Sequence, residues 1–365
     1  MRRSWRVLVA GWLVGGCGGG QGGTDLGPGP DGAGEDPGPA AEVVVAETAG
    51  EDPAVLDDWP VEDRTSETAT DEAPADPGSP PAVTTECAAI EAGRMNSLTV
   101  DGTRRWFYFS APEDAVRGPR GRWPLVFLWH GFSGAAMDGD TAAISFQSLL
   151  SAYVGNDGFP FLLVTPLADG IALLDWNILD IASGDDSPDV RLFDEVLACL
   201  DARFGVDPDH VHSAGFSAGA IMTDLLGVTR GDRLASLISW SGAYLSNEAN
   251  DTGAFDVFWP DVGPSRGYAQ LVTRGGPNDV WRASMMFTAD FDQWTRNDIP
   301  WLNARGHEVL ECVHDRGHIP IFTDDFLYAV RFFQDHPRGV TDSPYADGIP
   351  ASFPPDCLLH RKAVP

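Results

Sequence analysis

The sequence predicts an α/β fold, a mostly parallel central sheet with helices on both faces, and three observations carry the prediction. Short apolar runs alternate with helix-compatible segments from residue 98 to residue 334. The longer runs are apolar at every position rather than at every second one, as in parallel strands covered on both faces. One run leads into Gly215-Phe216-Ser217-Ala218-Gly219 directly before a helical pattern, the setting in which a strand-to-helix turn exposes a serine.

In chain order, the strands are read at 98–100, 106–109, 125–129, 161–165, 211–216, 237–240, 269–273 and 309–313. Helices are read at 142–153, 190–204, 218–228, 287–304 and 324–334. The helix after the pentapeptide is marked by Ile221, Leu225 and Val228 at helical spacing. Glycines on either side of Ser217 let strand and helix approach closely while the serine takes strained backbone geometry.

Before this domain lie two segments of different character. Arg2, Arg3 and Arg6 form a basic start, 7–14 is apolar, and Val14-Gly15-Gly16-Cys17 follows. Small residues ending in a cysteine resemble a bacterial lipoprotein signal, with Cys17 as the expected lipid attachment site and residues 1–17 as the signal. The apolar run is too short to span a bilayer. Gly18 in place of an aspartate resembles lipoproteins bound for the outer membrane. The protein is therefore expected to leave the cytoplasm, held to a membrane by its lipid or secreted.

Residues 18–85 are rich in Gly, Pro, Ala, Asp and Glu, with sixteen acidic residues against the single basic Arg64. Such a composition cannot bury a core and reads as a disordered, solvated linker. About half of the formal net charge of -30 lies there. A flexible chain of this length has an end-to-end distance of about 45 Å, enough to hold a domain clear of a membrane surface. The acidity and the lack of a basic cluster exclude nucleic acid as a partner, since phosphates would be repelled.

Residues 86–365 are expected to form one domain, and a monomer is expected. It contains Cys87, Cys199, Cys312 and Cys357, an even set that in an exported chain predicts two disulfides. The preferred pairing joins Cys87 to Cys357, tying the domain's ends together, and leaves Cys199 for Cys312. His210 and His212 share one strand face and read as packing residues. No H-E-x-x-H or paired-cysteine motif points to a metal, and no cofactor is expected.

In an open parallel sheet the carboxyl ends of the strands carry the ligand site. Ser217, Asp279 and His318 each follow a predicted strand and come in the order nucleophile, acid, base, the order of an α/β-hydrolase. A serine hydroxyl is a weak nucleophile, so an imidazole must take its proton and a buried carboxylate must orient that imidazole. Asp290 and Asp292 compete with Asp279 for the acid, and His307 and His314 compete with His318, although both precede or lie within the last strand. An oxyanion intermediate needs preorganised N–H donors, which the backbones of Ala218 and Phe132 are placed to supply.

The run Trp123-Pro124-Leu125-Val126-Phe127-Leu128-Trp129-His130-Gly131-Phe132, the Trp176-Asn177 pair, Phe204-Gly205-Val206-Asp207-Pro208-Asp209-His210-Val211, the serine pentapeptide and Gly317-His318-Ile319-Pro320 together carry a resemblance. From about 95 to 335 the chain resembles the polyhydroxybutyrate depolymerase-like and feruloyl esterase group of secreted α/β-hydrolases. That resemblance implies serine carboxylic ester hydrolysis through an acyl-enzyme, with Ser217, Asp279 and His318 as the catalytic residues. It also implies small or oligomeric esters as substrates, such as feruloyl or acetyl esters of plant oligosaccharides or short hydroxyalkanoate oligomers. Phe132 and Trp176, in rim loops, are the residues expected against substrate. The chain departs from the group's pattern at Arg274-Gly275-Gly276-Pro277-Asn278-Asp279, one residue longer than His-Gly-Thr-x-Asp, and at Ala220, where glycine is frequent. About thirty residues follow the last predicted helix, so no separate polymer-binding domain is expected. Two other uses of the scaffold remain open to the sequence: a non-catalytic surface binding lipoprotein, and a peptidase, which would be expected to carry a large gating domain.

Overall fold

A computed structural model describes residues 84–117, 121–132, 139–168, 175–178, 187–250, 259, 268–284, 287–319, 326–340 and 342–361. Cys17, the signal and nearly all of the linker lie outside the described residues. The chain from Pro80 to Pro365 forms one compact unit. It begins with α1 (Thr85–Ala88), β1 (Arg94–Val100), β2 (Thr103–Ser110), α2 (Glu113–Arg117), β3 (Trp123–Trp129), α3 (Gly139–Ser151), β4 (Leu162–Pro166) and α4 (Pro188–Phe204). β5 (Val206–Phe216), α5 (Ala218–Arg230), β6 (Ser236–Trp240), β7 (Ala269–Arg274), β8 (Val280–Ser284) and β9 (Phe287–Asp290) follow. α6 (Phe291–Ala304), β10 (Glu308–Val313), α7 (Leu327–Asp335) and β11 (Cys357–His360) complete the order.

The main sheet has nine strands in the order β1-β2-β4-β3-β5-β6-β7-β10-β11. Every neighbouring pair from β4 through β10 is parallel, while β1, β2 and β11 add antiparallel edges. The continuous apolarity of the central strands follows from their two covered faces. In β3, Leu125, Phe127 and Trp129 join a core with Phe193 of α4 and Met222 of α5. The alternate residues Val126 and Leu128 join a second core with Phe146 of α3 and Phe332 of α7. Each fully buried side chain of this kind contributes about 1.5–3 kcal/mol, which is why apolar residues prevail on both faces.

Three expectations need correction. The helix read at 287–304 is two elements. Asp290 caps α6 by accepting from the Gln293 amide at 2.9 Å, and the residues before it pair with β8 as a two-stranded ribbon. The C-terminal strand β11 has no counterpart in the sequence reading, because its four residues carry no run long enough to mark it. The disulfides are Cys87–Cys199 and Cys312–Cys357, not the pairing that ties the ends. Cys87 lies on α1, which packs against α4 and brings the two Cα atoms to 5.1 Å. Cys312 and Cys357 stand directly opposite each other on β10 and β11, 4.0 Å apart at Cα. Each bridge therefore fastens a short peripheral element to its immediate neighbour. No described helix is long and apolar enough to cross a membrane.

Candidate active site

Topology places three side chains at the carboxyl ends of parallel strands. Ser217 follows β5 in the middle of the sheet, Asp279 follows β7 through a short 3-10 turn at Gly276–Asn278, and His318 lies in the loop after β10. Ser217 has φ 54° and ψ -120°, outside the regions open to ordinary L-residues, so its side chain is held off the end of the strand. The elbow is possible only because its glycines have no side chains. A Cβ on Gly215 would lie 2.1 Å from the Gly219 carbonyl oxygen, and one on Gly219 would lie 2.2 Å from that of Trp129.

The three residues form a connected line. Ser217 Oγ is 2.9 Å from His318 Nε2, and His318 Nδ1 is 2.7 Å from Asp279 Oδ1. With Nδ1 donating to the carboxylate, Nε2 is left to accept the serine proton. Asp279 is fully buried, and its other oxygen accepts from the Gly275 amide at 2.7 Å and the Ser241 hydroxyl at 2.8 Å. The imidazole is held between two rings, with Phe291 stacked at 4.6 Å and 11° and Phe216 at 4.8 Å. Phe291 is fastened in turn, its amide donating to the Asp279 carbonyl at 3.0 Å. A serine, an imidazole and a buried carboxylate so ordered can pass a proton from hydroxyl to ring while the carboxylate stabilises the resulting cation.

The competing residues are engaged elsewhere. Asp290 caps α6, and Asp292 pairs with Arg274 and Arg296. His307 is buried with its ring 4.1 Å from that of Tyr268, and the Arg316 amide donates to His314 Nδ1 at 3.3 Å. His210 and His212 sit together with ring centroids 5.6 Å apart, and His212 bonds Ser236 Oγ at 2.9 Å.

Ala218 opens α5, so its amide points out of the first turn of a helix rather than into it. Phe132, directly after Gly131 at the end of β3, is 38% exposed and meets Trp281 edge to face at 5.6 Å. Trp176 stands differently from its expected place at the rim: it is only 1% exposed. Its indole N–H donates to the His130 carbonyl at 2.9 Å, and its ring packs edge-on against Trp129 at 5.0 Å. The next residue, Asn177, donates its amide to Asp189 Oδ2 at 2.6 Å, and Asp189 forms a buried ion pair with Arg105. This chain of contacts braces the loop after β3 from below. Desolvation lowers the pKa of the buried His130, whose Nδ1 lies 2.8 Å from the Gly131 carbonyl.

The sequence reading singles out neither Ser241 nor Phe291 nor, from among the domain's tryptophans, Trp281. None lies in a motif, and only the elements around them bring them to the site. Being next to a strand end was the one signal available for Ser241, and being two residues past the acid was the one available for Trp281.

No family model matches the chain. Over 184 residues it is 29% identical to the protein named "Putative esterase NocK" from Nocardia uniformis subsp. tsuyamanensis, a match that covers 48% of this chain and 50% of that protein. The chain thus spans about half the length of this curated relative. Among solved structures, a cysteine variant of pOPH in complex with DMSO superposes with a TM-score of 0.58 at 16% identity, over 76% of this chain and 95% of the other. Native sOPH superposes with a TM-score of 0.55 at 18% identity, over 74% and 95%. The fold is that of an α/β-hydrolase.

Proposed function

We propose that the protein is a serine carboxylic ester hydrolase with Ser217 as nucleophile, His318 as general base and acid, and Asp279 as the orienting carboxylate. The observation that carries this reading is the unbroken line Ser217–His318–Asp279, at 2.9 and 2.7 Å, across the ends of three parallel strands. Ser217 Oγ attacks the ester carbonyl carbon while its proton passes to His318 Nε2. The carbonyl oxygen becomes an oxyanion facing the Ala218 and Phe132 amides. The imidazolium then gives its proton to the departing alkoxide as the C–O bond breaks, leaving an acyl-serine. Water repeats the sequence, its proton passing through His318 back to Ser217 Oγ as the carboxylic acid leaves.

The esterase name of the curated relative and the sequence motifs support esters over amides. Feruloyl or acetyl esters of plant oligosaccharides and short hydroxyalkanoate oligomers are the substrates of this reading, with the exposed Phe132 and its neighbour Trp281 beside the bound group. Export is part of the proposal, with Cys17 carrying a lipid and two disulfides suited to an oxidising compartment.

The test is hydrolysis of p-nitrophenyl acetate, butyrate and octanoate, methyl ferulate and hydroxybutyrate oligomers by the full-length protein beside Ser217→Ala. Turnover and fluorophosphonate labelling that disappear together in the variant are the expected result. A wild-type protein that neither turns over these esters nor takes the label would remove the hydrolase reading.

A further inference from the structure

Four non-glycine residues of the described chain have positive φ: Asp101, Asp175, Ser217 and Ser241. Ser217 and Ser241 follow adjacent parallel strands, β5 and β6. Ser241 is fully buried at φ 57°, a conformation that glycine takes freely and that a residue with a Cβ takes only under constraint.

The constraint is visible in the residues that follow. Gly242 lies against the side chain of Asp224 on α5, and the Tyr244 amide donates to Asp298 Oδ2 on α6 at 2.9 Å. Two buried carboxylates from two helices thus flank consecutive residues of this stretch. Each is fixed by further donors: Asp224 by Ser239 at 2.7 Å and Gln270 at 2.8 Å, Asp298 by Asn247 at 2.8 Å and Asn250 at 2.9 Å. Upstream, the Ser241 amide donates to the Thr273 carbonyl on β7 at 3.0 Å. At Gly242 a Cβ would come within 2.5 Å of Asp224 Oδ2, so the chain is pressed against that carboxylate. Held at both ends, the backbone at 241 is left in the left-handed region.

A glycine would satisfy this backbone without strain. What serine adds is one hydroxyl, and it is aimed at Asp279 Oδ2, the oxygen that His318 does not use. We infer that Ser241 is a positioning residue for the hydrolysis proposed above: its hydroxyl fixes the outer oxygen of Asp279, so that the inner oxygen stays on His318 Nδ1, and Asp224 with Asp298 holds the chain that delivers it. The inference rests on the hydrolase reading. Without the hydroxyl, Asp279 Oδ2 keeps only the Gly275 amide at 2.7 Å, so the carboxylate is held by one donor instead of two and the imidazole is oriented less firmly toward Ser217. The carboxylate also keeps more of its charge for the imidazolium, which raises the ring's proton affinity.

The experiment measures kcat, KM and the pH dependence of kcat/KM on p-nitrophenyl acetate for full-length wild type, Ser241→Ala and Ser241→Gly, with thermal unfolding of each. Both variants are expected to lose about ten-fold in kcat with KM within about two-fold, the scale of a lost hydrogen bond to a charged group. The acid limb of kcat/KM is expected to move to higher pH in both. Ser241→Gly, freed of backbone strain, should unfold no lower than Ser241→Ala, and it decides the matter alone if the alanine variant does not fold. Wild-type kcat and an unmoved acid limb in Ser241→Gly would overturn the inference. So would a fall in kcat with an unmoved limb, which would mark a structural role only. If wild type itself neither hydrolyses the ester nor takes a fluorophosphonate label, it is the hydrolase reading that fails. An active, labelled wild type beside indifferent variants refutes Ser241 alone.

Discussion

The indole N–H of Trp176 donates to the main-chain carbonyl of His130 at 2.9 Å, beneath the loop that carries Phe132. The relation turns a residue expected against substrate into a support for the loop expected to hold the oxyanion. Trp176→Phe would keep an aromatic ring against Trp129 and His130 while removing the one donor. The stranded carbonyl should cost about 1–2 kcal/mol of stability, read by urea unfolding. On the hydrolase reading, kcat on p-nitrophenyl acetate should fall roughly ten-fold, less than for outright loss of an oxyanion donor, with KM nearly unchanged. A raised KM with kcat intact would return Trp176 to the substrate wall.

Gly219 sits where α5 crosses the end of β3, and a Cβ there would lie 2.2 Å from the Trp129 oxygen and 2.4 Å from the His130 oxygen. Both are backbone atoms, so neither can swing aside. Gly219→Ala is expected to push the start of α5 off the sheet, moving Ser217 and the Ala218 amide together, at a cost of about 1–3 kcal/mol. Fluorophosphonate labelling should slow by more than the loss of folded protein explains. Ala220→Gly is the control, one residue further along the helix and at the position where the resembled group often carries glycine. It should cost about 1 kcal/mol through helix propensity and leave the labelling rate close to that of wild type. Equal labelling by Gly219→Ala and wild type would show that the elbow tolerates the wider crossing.

The parts of the fold that could be read in advance are those where one physical demand fixes the residue type along a run. β3 is buried on both faces, so every position is apolar and the strand announces itself. The elbow is legible because close crossing demands glycine at fixed offsets from Ser217. What stayed hidden depends on contacts between distant segments. The disulfide partners follow from which peripheral element touches which: α1 lies on α4, and β11 pairs with β10. A short edge strand such as Cys357–His360, half exposed and four residues long, has no such signature. β9 reads as part of a helix because only the cap at Asp290 separates it from α6, and a cap is one residue. Trp176 was placed at the rim because it lies between loops, whereas its burial is set by Trp129 and His130 from another strand.

His307 supplies a pH dependence whose sign can be worked out. It is 1% exposed with its ring on Tyr268, and desolvation pulls its pKa down to about 4. In the unfolded chain a histidine titrates near 6.5. Between these values the unfolded state holds a proton that the native state refuses, so stability rises with pH across the window. The full contribution is present above about pH 6.5 and is lost as pH falls toward about 4. Asp298 acts in the opposite sense, since burial raises its carboxyl to about 7 and the native state keeps a proton that the unfolded chain has given up above about pH 4. Wild type therefore sums these two opposing slopes with those of its other buried groups, among them His212, pushed down by burial, and Asp224, pushed up by it. His307→Phe keeps a ring against Tyr268 and removes one slope only. Going from pH 7.5 to pH 5, the variant should be relieved of a loss of about 2 kcal/mol that His307 imposes on wild type. Urea unfolding of both proteins at the two pH values measures this, and identical pH dependence would mean that His307 is protonated as readily in the folded protein as in the unfolded chain.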